Sequence, residues 1–237
     1  MPRLRGRSRG REREREGADS RRGRDTIRAM FLVFEGIDGS GKSTQAELLA
    51  RHLGEERGLE PVLLREPGGT ALGEKLRELI LDPDGEDLAP ETEIFLFMAA
   101  RAHLVRTRIL PALSEGKVVI SDRFIWSTVA YQGLASGVPA QEILRMYHRM
   151  AAQGLVISKT FLIDVAPPVA LKRVRNPNRM EGRGLAYQER VRRGFLSIAK
   201  KYPRRVAVID GSGSAEEVHG RVLKSLPSQG WSRCSSS

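Results

Sequence analysis

The stretch Phe31-Leu32-Val33-Phe34-Glu35-Gly36-Ile37-Asp38-Gly39-Ser40-Gly41-Lys42-Ser43-Thr44 decides the fold. Its first four residues are an apolar run of strand character. Residues 36–43 fit G-x-x-x-x-G-K-S, and beyond them Ala46, Leu49, Ala50 and Leu53 recur at helical spacing. Strand, glycine loop and helix in this order form a cradle for phosphates. Gly36, Gly39 and Gly41 let the backbone curl so that successive N–H groups point inward at anionic oxygens. The helix that follows adds its positive dipole end. Lys42 supplies a cation for β- and γ-phosphates, and the Ser43 hydroxyl is a ligand for Mg2+. Residues 36–44 are accordingly read as an ATP-binding loop.

Outward from that loop, strand-like and helical segments alternate. Residues 61–64, 118–120, 160–165 and 206–209 are further apolar strands. Helical spacing predicts helices over residues 43–53, 72–80, 92–110, from Ser127, over 139–152, from Pro168, over 186–200 and over 215–225. Pro111 is expected to end or kink the long helix before it. Apolar strands separated by helices predict an α/β fold, a five-stranded parallel sheet with helices on both faces. No repeat or internal linker breaks residues 30–226, which read as one domain.

The formal charge of +11 is unevenly placed. Residues 1–29 hold 11 Arg against five acidic residues, +6 in all, which leaves 11 − 6 = +5 for the rest. That first stretch has almost no large apolar side chains and is expected to be a disordered Arg-rich extension; residues 227–237 are expected to be a flexible tail. The folded body is not basic enough to suggest a nucleic-acid partner. The single cysteine, Cys234, excludes an intrachain disulfide. No apolar run is long enough to span a bilayer, and the N-terminus lacks a secretory signal, so a cytoplasmic protein without a membrane partner is expected.

A glycine loop alone does not name a reaction. After the strand at 118–120, Ser121 leads into Asp122-Arg123. Asp122 can support a Mg2+ shell. Arg123 puts a cation where a hydrolase would often place a second carboxylate, which suits an anionic acceptor. Two rivals remain at this point: an ATPase that grips nucleic acid through its basic arm, and a kinase for any nucleoside monophosphate.

The set Glu35-Gly36-Ile37-Asp38-Gly39-Ser40-Gly41-Lys42-Ser43-Thr44, Arg65-Glu66-Pro67-Gly68-Gly69-Thr70, Asp122-Arg123-Phe124 and Ala130-Tyr131-Gln132-Gly133 closely resembles the bacterial thymidylate kinases. The resemblance covers essentially residues 30–224. It implies a nucleoside monophosphate kinase fold, ATP and dTMP as substrates, Mg2+ held with the help of Ser43 and Asp122, and a homodimer formed through helices near 92–110 and 127–152. It implies that Phe97 stacks on the thymine ring, Arg101 reaches the base carbonyl, and Gln132 reads the base edge with Thr128 nearby. Arg77 and Arg123 would hold the acceptor phosphate. Asp38 would contact the sugar, and Tyr131 would close on the deoxyribose. Family members differ in where a transition-state arginine sits, and some carry a basic residue at the position of Gly39. Its absence here points to a lid of the type supplied by Arg173, Arg175, Arg179 and Arg183; Arg175 and Arg179 are the favoured pair, alongside Lys42 and Arg123 as catalytic residues. Trp126 and Ser136 depart from the usual pattern.

Overall fold

The structure, a computed structural model, describes residues 29–152, 154–175 and 179–227. Residues 1–28, Cys234, the tail beyond 227 and Asn176-Pro177-Asn178 lie outside the described residues.

The strands are β1 (Met30–Glu35), β2 (Val62–Arg65), β3 (Val118–Asp122), β4 (Lys159–Asp164) and β5 (Val206–Asp210). They form one parallel sheet in the order β2-β3-β1-β4-β5. β1 lies at the centre, paired on one side with β3 (Leu32 opposite Ile120) and on the other with β4 (Phe34 opposite Phe161). A central parallel strand is covered on both faces, which is why Phe31, Leu32, Val33 and Phe34 are all apolar and all buried. Phe34 stacks on Phe161, and Phe31 meets Phe124 edge to face, with ring centroids 5.0 Å and 4.9 Å apart. Leu63 and Val208, on the edge strands β2 and β5, are exposed.

The helices are α1 (Lys42–Arg57), α2 (Ala71–Leu81), α3 (Pro90–Leu104), α4 (Leu110–Ser114), α5 (Ile125–Thr128), α6 (Ala140–Met146), α7 (Pro167–Leu171), α8 (Leu185–Lys201) and α9 (Ala215–Lys224). Wide π-type turns at Val105–Ile109, Val129–Leu134 and Tyr147–Ala152 continue α3, α5 and α6. Pro111, expected to end or kink the long helix, does not end it. The Leu110 N–H reaches five residues back to Val105 O, and this shift of register sets Pro111 in the first turn of α4, where no N–H is required. No helix among the described residues is long and apolar enough to cross a membrane.

Candidate active site

The glycine loop sits at the carboxyl end of β1, where the sheet order reverses and clefts form. Two of its glycines have no substitute. Gly36 has φ +146°, and a Cβ there would lie 2.6 Å from Ile163 O. Gly39 has φ +76°, and a Cβ would lie 2.0 Å from Ala170 O. A side chain of any kind at Gly39 therefore has no room here. Lys42 is buried at the start of α1, with Nζ 3.4 Å from both Ile37 O and Asp38 Oδ1.

Next to it, Ser43 Oγ donates to Asp122 Oδ2 at 2.5 Å, while Asp122 Oδ1 is buried without a hydrogen-bond partner. A hydroxyl and an unmatched carboxylate oxygen beside a phosphate cradle suit a hard cation with oxygen ligands. Among the described residues no group of three or more His, Cys, Asp or Glu could hold a metal. Mg2+ fits such a site, because it takes most of its shell from phosphate and water.

The turn from β3 into α5 brings Arg123 into the same place. Arg123 has φ +71°, a left-handed conformation that costs energy for a side chain of this size. Glu35, buried at the end of β1, braces the turn: it accepts from the N–H groups of Phe124 (3.0 Å) and Ser127 (3.1 Å) and from Ser127 Oγ (2.5 Å). Burial pushes the Glu35 carboxyl up to about 7, against the pull of these bonds and of Arg123. The Arg123 guanidinium donates to Gly36 O (3.1 Å), Ser127 Oγ (2.9 Å) and Asp38 Oδ1. Tyr131 OH donates to Asp38 Oδ2 at 3.0 Å. Burial alone would raise the Asp38 carboxyl, but Arg123 and Lys42 outweigh it and hold the group well below the usual carboxylate range.

Beyond Arg123 opens a cleft with about 520 Å³ of empty space, part of it continuous with open solvent. Asp38, Arg77, Phe97, Arg101, Arg123, Thr128, Tyr131 and Gln132 all line it, so the eight residues expected around the acceptor are brought together. Arg101 is only 2% exposed; its Nε donates to Glu66 Oε2 (2.8 Å) and its Nη2 to Thr128 Oγ1 (3.1 Å). Gln132 Nε2 donates to Glu93 Oε2 at 2.9 Å. Arg77 Nη1 donates to Pro67 O at 2.9 Å; burial, then the charges of Arg65 and Arg123, lower its pKa below the ordinary value. Crowded guanidiniums of this kind suit an anion.

A second cleft runs along the other side of the loop, lined by residues 39–45, Arg173, Gly211, Gly213, Ser214, Ala215 and Val218. Arg173 Nη1 lies 3.5 Å from Gly39 O, so an arginine hangs where the loop has no side chain of its own. The favoured lid pair is placed differently. Arg179 is buried, its Nη1 and Nη2 donating to Glu86 O (2.5 Å) and Ile80 O (2.6 Å) near the end of α2, and Arg175 is exposed. Arg183 pairs with Glu93 and donates to Tyr187 OH at 2.9 Å. The segment was legible as basic, but which arginine faces the loop depends on how the chain turns after α7.

Sequence reasoning missed the bracing carboxylates Glu35, Glu66 and Glu93, and the donor-side wall at 211–218. The wall did leave a signal: Gly211-Ser212-Gly213-Ser214 follows the last strand and precedes Glu217, the spacing of a helix cap at a strand's carboxyl end. The two departures are structural. Trp126 packs against Tyr202 with ring centroids 5.1 Å apart, and Ser136 Oγ donates to Tyr131 O at 2.9 Å.

Comparison with known proteins gives the same outline. The sequence profile of the family described as "Thymidylate kinase" matches residues 34–222. The chain is 45% identical over 207 residues to a thymidylate kinase of Desulfosudis oleivorans, covering 83% of this chain and 96% of the relative. It is 46% identical over 198 residues to a thymidylate kinase of Kosmotoga olearia, covering 82% and 94%. Among solved structures, a thymidylate kinase from Ehrlichia chaffeensis superposes with a TM-score of 0.68 at 38% identity, covering 83% of this chain and 97% of that one. With its loop, its acceptor cavity and its full-length relatives in agreement, this chain belongs to the thymidylate kinase family.

Proposed function

We propose that the protein transfers the γ-phosphoryl group of ATP to dTMP, giving dTDP and ADP. One observation carries the reading. The glycine loop and the acceptor cavity meet at Asp38 and Arg123, so two anionic nucleotides would lie end to end across that contact. Transfer between phosphates needs alignment and charge neutralisation more than covalent help from the protein.

In this reading the loop N–H groups and Lys42 hold the donor phosphates. Ser43 and Asp122 would hold Mg2+, which when bound supplies positive charge to the donor phosphates. Arg77 and Arg123 hold the acceptor phosphate, and Arg123 also faces the transferring group. Arg173 adds a cation from above Gly39. Phe97 stacks on the base and Arg101 donates to its carbonyl. Thr128 fixes Arg101, Gln132 reads the base edge, and Tyr131 packs against the sugar while its hydroxyl steadies Asp38. Glu35 positions Arg123 by fixing the turn that carries it. No general base is required, because the acceptor phosphate is ionised near neutral pH.

Residues 30–226 are the unit proposed to do this, in the cytoplasm. The same reading includes a homodimer. Phe95 on α3 and Met150 in the turn after α6 are 61% and 65% exposed, on the two helical regions expected to pair.

Offering each nucleoside monophosphate with ATP and Mg2+ in a coupled ADP assay tests the reaction. dTMP should be the best acceptor. dUMP, short of one methyl, should be poorer by roughly 10–200-fold in kcat/KM. A different best acceptor would overturn the proposal.

A further inference from the structure

Glu93, in the first turn of α3, is 0% exposed and takes no part in the transfer described above. A buried carboxylate needs partners, and this one is fully engaged. Its Oε1 pairs with Arg183 Nη2, with Arg179 Nη2 at 3.8 Å. Its Oε2 accepts from Gln132 Nε2 at 2.9 Å. That last contact has a chemical consequence for the cavity. A glutamine amide has a donating NH2 end and an accepting carbonyl end of nearly the same shape, so its orientation is set by its hydrogen-bond partners. A carboxylate held between two guanidiniums only accepts. The NH2 end of Gln132 must therefore face Glu93, which leaves the carbonyl end for the cavity that Gln132 lines.

We propose that Glu93 is a specificity-determining positioning residue: by fixing the Gln132 amide it presents a carbonyl oxygen to the acceptor base and so selects a pyrimidine with a donor N–H at N3. Thymine and uracil carry a hydrogen there, whereas cytosine carries a lone pair that would face the carbonyl oxygen, leaving both acceptors unmatched. Arg179 and Arg183 take part by holding the carboxylate in place. The inference rests on a pyrimidine monophosphate occupying this cavity.

The test compares kcat/KM for dTMP and for 5-methyl-dCMP in the wild type and in Glu93→Gln. The two acceptors share the methyl group, sugar and phosphate. A glutamine at position 93 can donate as well as accept, which frees the Gln132 amide to turn. The preference for dTMP should fall roughly tenfold or more, the remainder coming from Arg101 at the neighbouring carbonyl. An equal loss for both acceptors, with the ratio kept, would mean that Glu93 merely supports the fold, and the proposal would fail. Glu93→Asp keeps the acceptor-only chemistry and should hold the ratio within about threefold even if both rates drop. Loss of the preference in a folded Glu93→Asp protein would also overturn the proposal, and that variant decides the matter if Glu93→Gln does not fold. Absence of dTMP phosphorylation by the wild type would instead defeat the proposed function, so the two failures are distinct.

Discussion

Lys42 and Arg173 line the same cleft beside the glycine loop, one from the start of α1 and one from the segment after α7. Replacing Lys42 with alanine should cut kcat by about a thousandfold or more with little change in melting temperature, since its contacts are to loop groups that water can serve. Arg173→Ala should lower kcat by about a hundredfold, while Arg179→Ala, which frees two backbone carbonyls, should show chiefly in the melting temperature. Glu35 gives a pH signature. Its carboxyl titrates at about 7 in the fold against 4.5 ordinarily, because burial disfavours the charge. Between those values the folded protein keeps a proton that the unfolded chain has released. Its contribution to stability is thus full below about 4.5 and lost as pH rises through about 7, at most about 3 kcal/mol. Glu35→Gln mimics the protonated form, so the drop in melting temperature from about pH 5 to about pH 8 should be smaller in the variant than in the wild type. Lys42 was legible because its neighbours in sequence are its neighbours in space. Glu35 was not, since its partners Phe124 and Ser127 lie far along the chain and meet it only through the pairing of β1 with β3.

At the level of elements, α9 begins with a capping box in which Ser214 Oγ accepts from the Glu217 N–H at 3.2 Å and Glu217 Oε2 accepts from the Ser214 N–H at 2.8 Å. Ser214 and Ala215 also line the donor-side cleft, and Ala215 O accepts from Gln45 Nε2 of α1 at 2.8 Å. Ser214→Ala should cost about 1 kcal/mol of stability and raise the KM for ATP more than that for dTMP, measured by varying each substrate at saturation of the other. Strand positions could be read closely because a strand buried on both faces must be apolar throughout. Helix continuity could not. Apolar spacing reports which face is buried, but the widened turns at Val105–Ile109 and Val129–Leu134 are choices of hydrogen-bond register, which that spacing does not record. The second of these turns carries Tyr131 and Gln132, so the wall of the acceptor cavity is built on a backbone form that the sequence does not announce.

For the molecule as a whole, every residue given a role lies between Glu35 and Val218, and the family match spans 34–222. Removing residues 1–28 should therefore leave kcat/KM for both substrates within about twofold of the full chain in a steady-state assay. The basic extension carries +6 of the formal +11, so net charge says little about the folded body, whereas the order of the motifs pointed to the family.

Strand order also bears on how such a protein changes over time. The acceptor cavity draws on the segments that follow β2 and β3 together with Met180, the donor cleft on Arg173 and the turn that follows β5, so the loop after β1 and the segment after β4 belong to both. Substitutions in the turns after β2 and after β5, at opposite margins of the sheet, should therefore add in their effects, and lineages can drift there in their taste for triphosphates without disturbing their taste for pyrimidines. The shared central loop has no such freedom, because any alteration there is felt by both nucleotides at once.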